Sequence, residues 1–368
     1  MTGPRRPVVL AVGAVAVVLG ALALRPLLPS PPDRPPDRSV APDPRAVDGG
    51  LEEVVDVAFA ATGTGYAAVR DCTAPGPSCE WRLATAPDGR AWERRPVPVD
   101  GEVERVELLA LPGGVLVLAD ADPARPGAVG ADRPATGWFS PDGGATWTSA
   151  DTLPDETAAA VPDGAVLRQA CLDAACGTVD PVAVLPADGR HVALPALPAL
   201  GSPQAVAGVD GALVLTGVEP GTGGPAVATS RDGGRSWTVA ALGPAAPAWT
   251  VSVGGSARAL HAVVNRYGVT GEPAGAELLE SADGGAWTAV RGDLPASDLA
   301  VGPDGRLLLA PLATGRLLVS TDGGRSVEPV ALPYPVEQVR RSGAGYLGAS
   351  LAGFRRSPDG VTWELLSP

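Results

Sequence analysis

The side chains able to do chemistry in this chain are few. Four cysteines, two histidines and four tyrosines stand among 41 acidic and 28 basic residues in a total of 368. The cysteines fall as two close pairs, Cys72/Cys79 and Cys171/Cys176. Strand-like sequence flanks each pair, so each can staple the two arms of a hairpin. A four-cysteine zinc site would show two tight Cys-x-x-Cys knuckles instead. The reading is two local disulfides, and hence an oxidising compartment. His191 and His261 lack neighbours at ligand spacing, so no metal site is expected. Asn265-Arg266-Tyr267 puts an amide, a guanidinium and a ring in one loop and is the candidate binding cluster, with Asp132 and Arg133 in an earlier loop. Glycoside hydrolysis needs two carboxylates roughly 5–10 Å apart. Asp71, Glu80, Asp120, Asp122, Asp132, Asp173, Glu219 and Glu272 are available, and the sequence does not pair them. Gly63-Thr64-Gly65 imitates a dinucleotide fingerprint, but no helix follows it. There is no phosphate-binding loop and no Gly-x-Ser-x-Gly elbow, so no cofactor is expected.

What must position these residues is a repeat. Ser140-Pro141-Asp142-Gly143-Gly144-Ala145-Thr146-Trp147 returns as Ser230-Arg231-Asp232-Gly233-Gly234-Arg235-Ser236-Trp237. Forms one residue shorter surround Asp88/Trp92, Asp283/Trp287 and Asp359/Trp363. The copy at Asp322 keeps the turn without the Trp, and the one at Asp188 is weakest. The seven copies lie 37 to 54 residues apart, a spacing suited to propeller blades. Asp-Gly between strand-like runs is a hairpin turn; the carboxylate accepts backbone N–H groups and Gly supplies φ > 0. A second series alternates with the first, near Gly63, Gly113, Gly164, Gly211, Gly254, Gly305 and Gly343. Each unit therefore reads as four strands, over 51–100, 103–152, 156–195, 202–242, 248–291, 296–331 and 335–368. The expected fold is all-β, a seven-bladed β-propeller of four-stranded antiparallel blades.

Strand order separates two faces. Both turn series share one. The other carries the loops between second and third strands, which are longest in units one to five. That face holds both cysteine pairs and the candidate cluster, and irregular loops on a repeat scaffold are where function concentrates.

The turn copies resemble the Asp-box, or BNR repeat, of the sialidase-like propellers, over nearly all of the chain after residue 50. The resemblance implies that each box closes the last hairpin of a blade on the outer rim. Asp88, Trp92, Asp142, Trp147, Asp232, Trp237, Asp283, Trp287, Asp322, Asp359 and Trp363 are then structural. The sialidase arginine triad, Tyr/Glu pair and Arg-Ile-Pro motif are not matched: the chain has no Ile. Sialidase domains also have six blades against seven units here.

All 28 basic residues are Arg; this and the Ala, Gly and Pro excess suit a GC-rich bacterial genome. Beyond residue 47, 22 arginines face 38 acidic residues, about −16. Nucleic acid is therefore not an expected partner. Pro7 to Leu24 is an uncharged apolar run behind Arg5-Arg6, about 27 Å long as a helix. The expected organisation is a cytoplasmic tip (1–6), a transmembrane signal-anchor or signal peptide (7–24), a Pro-rich linker (25–48) and an extracytoplasmic propeller (49–368). The expected function is non-catalytic binding, by a monomer, of an envelope protein, peptide or glycan. The alternatives are a glycoside hydrolase of the sialidase-like or xyloglucanase-like kind, and an assembly factor similar to the Asp-box propellers that help build photosystems.

Overall fold

The computed structural model describes residues 51–72, 79–99, 103, 105–119, 135–174, 176, 178–206, 209, 211–256, 258–311, 316–332, 335–343, 345–350 and 353–368. The expected membrane segment, the linker, Asp132 and Arg133 lie outside them. Among the described residues no helix is long and apolar enough to cross a membrane.

Seven sheets form a propeller, each built from one contiguous stretch. Blade one is β1 (Leu51–Phe59), β2 (Gly65–Cys72), β3 (Glu80–Ala86) and β4 (Glu93–Pro96). Blade two is β5 (Val106–Leu111), β6 (Gly114–Ala119), β7 (Thr136–Ser140) and β8 (Thr148–Ala150). Blade three has β9 (Val166–Cys171), β10 (Val179–Val184) and β11 (His191–Ala193). Blade four has β12 (Gly201–Ala205), β13 (Leu213–Val218), β14 (Pro225–Ser230) and β15 (Thr238–Ala241). Blade five has β16 (Ala248–Gly255), β17 (Leu260–Tyr267), β18 (Pro273–Ser281) and β19 (Thr288–Arg291). Blade six has β20 (Ala296–Val301), β21 (Leu307–Pro311), β22 (Leu318–Ser320) and β23 (Glu328–Pro329). Blade seven has β24 (Gln338–Ser342), β25 (Gly345–Ser350), β26 (Gly353–Ser357) and β27 (Glu364–Leu365). Every pairing between these strands is antiparallel, in sequential order.

Burial explains the apolar runs. β6, β14 and β21 are buried along their whole length, whereas β23 and β27 are exposed. Inner strands have a neighbouring blade on each face, so they lose the alternation of a one-sided sheet. The core is accordingly divided among the joints between blades. At the joint of blades five and six, for example, Val263 and Leu278 meet Leu299, Leu307 and Leu309. A fully buried leucine contributes about 1.5–3 kcal/mol.

Blade three departs from the four-strand expectation. Glu156–Val161 does not become its first strand. The segment lies beyond β11 instead: Thr157 bridges Ala193 in parallel, and Ala158 N donates to Ala193 O at 3.0 Å. Val161 N then reaches Gly233 O in the turn of blade four at 2.8 Å. The innermost place falls to β9. Its Arg168 pairs with Glu107 of β5 at 3.0 Å, and Gln169 Nε2 donates to Pro203 O of β12 at 2.8 Å. Three consecutive alanines before Val161 give this segment little apolar bulk with which to compete for an inner position.

Among the described residues no strand is shared across the ring closure; side chains close it. Phe59 N donates to Ser342 Oγ at 3.0 Å, and Arg340 pairs with Asp56 at 2.8 Å. The Arg356 guanidinium lies 4.6 Å from the Phe59 ring centroid.

Candidate functional site

The turns that define the repeat consume their polar groups internally. Asp142 Oδ1 accepts from Thr146 N at 2.8 Å and from Ser140 Oγ at 2.9 Å; its Oδ2 accepts from Thr146 Oγ1 at 2.7 Å. Ser140 Oγ in turn accepts from Gly144 N at 2.6 Å. Asp232 with Ser230 and Ser236, and Asp322 with Ser320 and Ser326, repeat the pattern. The hydroxyl and backbone donors hold the Asp142 and Asp322 carboxyls down to about 2 and lower that of Asp232. Gly143 takes φ +68° beneath Thr85, the next-to-last residue of the third strand of the preceding blade. Thr85 Oγ1 donates to Gly143 O at 2.8 Å, and Trp147 Nε1 to Pro96 O at 3.2 Å. Each such turn therefore ties its blade to the one before.

Turn length decides where the indole donates. In the longer turns Trp147 and Trp237 reach the preceding unit, the latter at Ala196 O, 2.8 Å away. In the shorter ones Trp287 and Trp363 donate to Gly284 O and Gly360 O of their own turn, both at 3.1 Å. All five turn tryptophans, Trp92 included, are partly exposed and pack against the joints.

The opposite face carries the loops between second and third strands. Two disulfides pin it, Cys72–Cys79 and Cys171–Cys176, with Cα separations of 4.3 and 4.8 Å. Blade five projects furthest in strand length, with eight residues in β17 and nine in β18. Its tip is braced: Gly268 N donates to Glu272 O at 2.9 Å, Gly271 N to Gly268 O at 3.0 Å, and Thr270 Oγ1 to the Glu272 carboxylate. On this support Val269 is 88% exposed, with Tyr267 partly exposed below it.

The structure divides the candidate cluster. Asn265 is buried; its Nδ2 donates to Thr250 Oγ1 at 3.2 Å and Ser297 O at 2.9 Å, bracing blade five against blade six. Arg266 pairs with Glu277 at 3.0 Å. Tyr267 is partly exposed, as is Arg266. Val269 was not among the candidates; a valine between Gly268 and Gly271 at a hairpin tip was the available signal.

Several candidate carboxylates serve their own surroundings. Glu80 pairs with Arg82 at 3.0 Å, Glu219 accepts from Thr222 N at 2.5 Å, and Glu272 braces the blade-five tip. Asp120, Asp122 and Asp132 lie outside the described residues. Among the described residues no group of three or more His, Cys, Asp or Glu side chains could hold a metal ion. Both histidines are buried. His191 Nε2 accepts from Arg168 Nη1 at 3.2 Å, which leaves Nδ1–H to donate to Asp151 O at 3.2 Å. Burial and the Arg168 charge pull its pKa down to about 3. Glu107, Arg168 and His191 thus form a polar strut between blades two and three that sequence spacing did not suggest.

No family model matches the chain, and no curated protein does. Solved structures do. A puromycin-hydrolyzing peptidase of Mycobacterium tuberculosis aligns with TM-score 0.53 and 14% identity over 86% of this chain and 52% of that one. A prolyl endopeptidase aligns with TM-score 0.53 and 12% identity over 86% of this chain and 50% of its own. YCF48 bound to D1 peptide aligns with TM-score 0.50 and 14% identity over 84% of this chain and 96% of that one. The chain spans about half the length of the peptidases. At these identities the likeness is one of fold.

Proposed function

We propose that this chain is a membrane-anchored, extracytoplasmic and non-catalytic binding propeller. It holds an extended peptide segment of an envelope protein against its loop face, and its rim turns are Asp-boxes that hold the fold together. The observation that carries the reading is the blade-five tip. A valine exposed on a hydrogen-bonded turn, with a tyrosine beside it, is an anchor whose ordering cost is met before binding. Two further facts support it. Disulfides fix two other loops of the same face, so that face is pre-organised. The segment preceding the domain joins it at Leu51, in register with Cys72, so a tether would arrive on that face. A propeller of similar size, YCF48, is bound to a D1 peptide.

The test is an array of overlapping peptides from envelope proteins, probed with the purified full chain. Binding peptides should lose about tenfold or more in affinity when Tyr267→Ala and Val269→Ser are combined. Turnover of chromogenic glycosides that disappears with any one carboxylate substitution would overturn the non-catalytic reading.

A further inference from the structure

On the opposite face, an open cleft of about 350 Å³ lies between the rim turns of blades four and five. Its origin is the missing residue in the blade-five turn. Thr229 in blade four occupies the place that Thr85 has in blade one, immediately before the turn of its blade. Thr85 donates to the first glycine of the following turn, Gly143. In the shortened turn, Gly284 O receives Trp287 Nε1 instead. Thr229 Oγ1 is left with no hydrogen-bond partner, on a side chain only 3% exposed.

The groups lining the cleft are mixed in kind. Arg231 makes no hydrogen bond or ion pair among the described residues and offers guanidinium donors. Thr238, in register with Thr229 across the hairpin, is exposed, and its hydroxyl has no partner among the described residues. Asp283 brings a carboxylate that its turn engages through Oδ1. Asp232 is saturated by Ser230, Arg235 and Ser236 and acts as wall. A donor fork, an acceptor and a hydroxyl around one small volume match a ligand whose groups both donate and accept. Hydroxyl groups on a compact ring do so, and a volume at the small end of ligand pockets suits a single ring.

We propose that this inter-blade cleft is a carbohydrate subsite for one sugar residue, bound by Arg231, Asp283 and Thr238. It lies on the face opposite the peptide surface and does not depend on it.

The experiment is saturation-transfer NMR on the full chain, with glucose, galactose, N-acetylglucosamine and glucuronate as probes. At least one should give saturation transfer with millimolar affinity, about 1 mM being equivalent to −4.1 kcal/mol. Two variants locate it. Arg231→Ala removes the fork. Gly285→Leu fills the cleft at a position where an added Cβ meets only ordinary contacts, 3.4 Å from Asp283 Oδ1 and 3.5 Å from Thr238 Cγ2. Both should lower affinity about tenfold or more, with thermal unfolding unchanged. Absence of transfer from all four probes would overturn the proposal. So would binding that survives both variants. Peptide capture by the loop face should be the same in all three proteins, which separates this test from that of the peptide surface.

Discussion

Replacing Thr85 and Thr229 by valine, one at a time, makes the same chemical change at equivalent places in two joints. The two sites differ in one respect. The Thr85 hydroxyl donates to Gly143 O at 2.8 Å from a side chain 5% exposed. The Thr229 hydroxyl is equally buried, at 3% exposed, and has no partner. Valine at 85 removes a buried hydrogen bond and leaves a carbonyl short of a donor, at a cost of about 1–2 kcal/mol. Valine at 229 removes a buried hydroxyl that has no partner and leaves no acceptor short of a donor, so stability should be unchanged or rise by about 1 kcal/mol. The two variants should therefore differ by about 2–3 kcal/mol. Urea denaturation of each, compared at equal m, reads this as a shift in midpoint. Equal effects, or a larger loss at 229, would refute the argument that turn length decides the partner.

Three further outcomes follow from the buried groups. Arg168→Met deletes the bonds to Glu107 and His191 while keeping bulk; it should cost about 2–3 kcal/mol in the same assay, below the full cost of a broken buried pair because Glu107 is 32% exposed. His191 is held to about 3, and burial lowers His261 as well. Unfolded imidazoles take a proton below about pH 6.5 and the native ones do not. Acid therefore favours the unfolded chain, by up to about 1.4 kcal/mol per pH unit for each histidine. Thermal midpoints measured from pH 7.5 to 5 should fall, and less so in a His191→Gln, His261→Gln double variant. Mass mapping without reduction should find Cys72–Cys79 and Cys171–Cys176. Replacing either pair with alanine should cost only about 2 kcal/mol, since the loops are short.

The repeat was legible because its turns need particular residues. Asp-Gly at Asp142, Asp232 and Asp322 specifies a hairpin through φ > 0 and carboxylate acceptance, so seven units, two faces and both disulfides could be phased. Blade three was not. The turn at Gly164 is real, but no local rule says on which side of a sheet the preceding Glu156–Val161 will lie; that depends on competition between inner and outer places. The conformation of the candidate cluster was hidden for a related reason. Asn265-Arg266-Tyr267 looked like a loop because β17 runs on past the usual strand length, and a longer strand buries Asn265 where a loop would have exposed it. Arg340 and Arg356 close the ring through Asp56 and Phe59, a role set by the meeting of the first and last blades and not by any local pattern.

The peptide surface is tested most directly by site-specific photo-crosslinking in intact cells. A benzophenone amino acid placed at Val269 sits on the blade-five tip; one at Val361, 51% exposed in the rim turn of blade seven, samples the other face. The proposal predicts a discrete adduct from position 269 whose digestion maps to one extended stretch of a partner protein, and none from 361. The same adduct from both positions, or adducts from 361 alone, would contradict it.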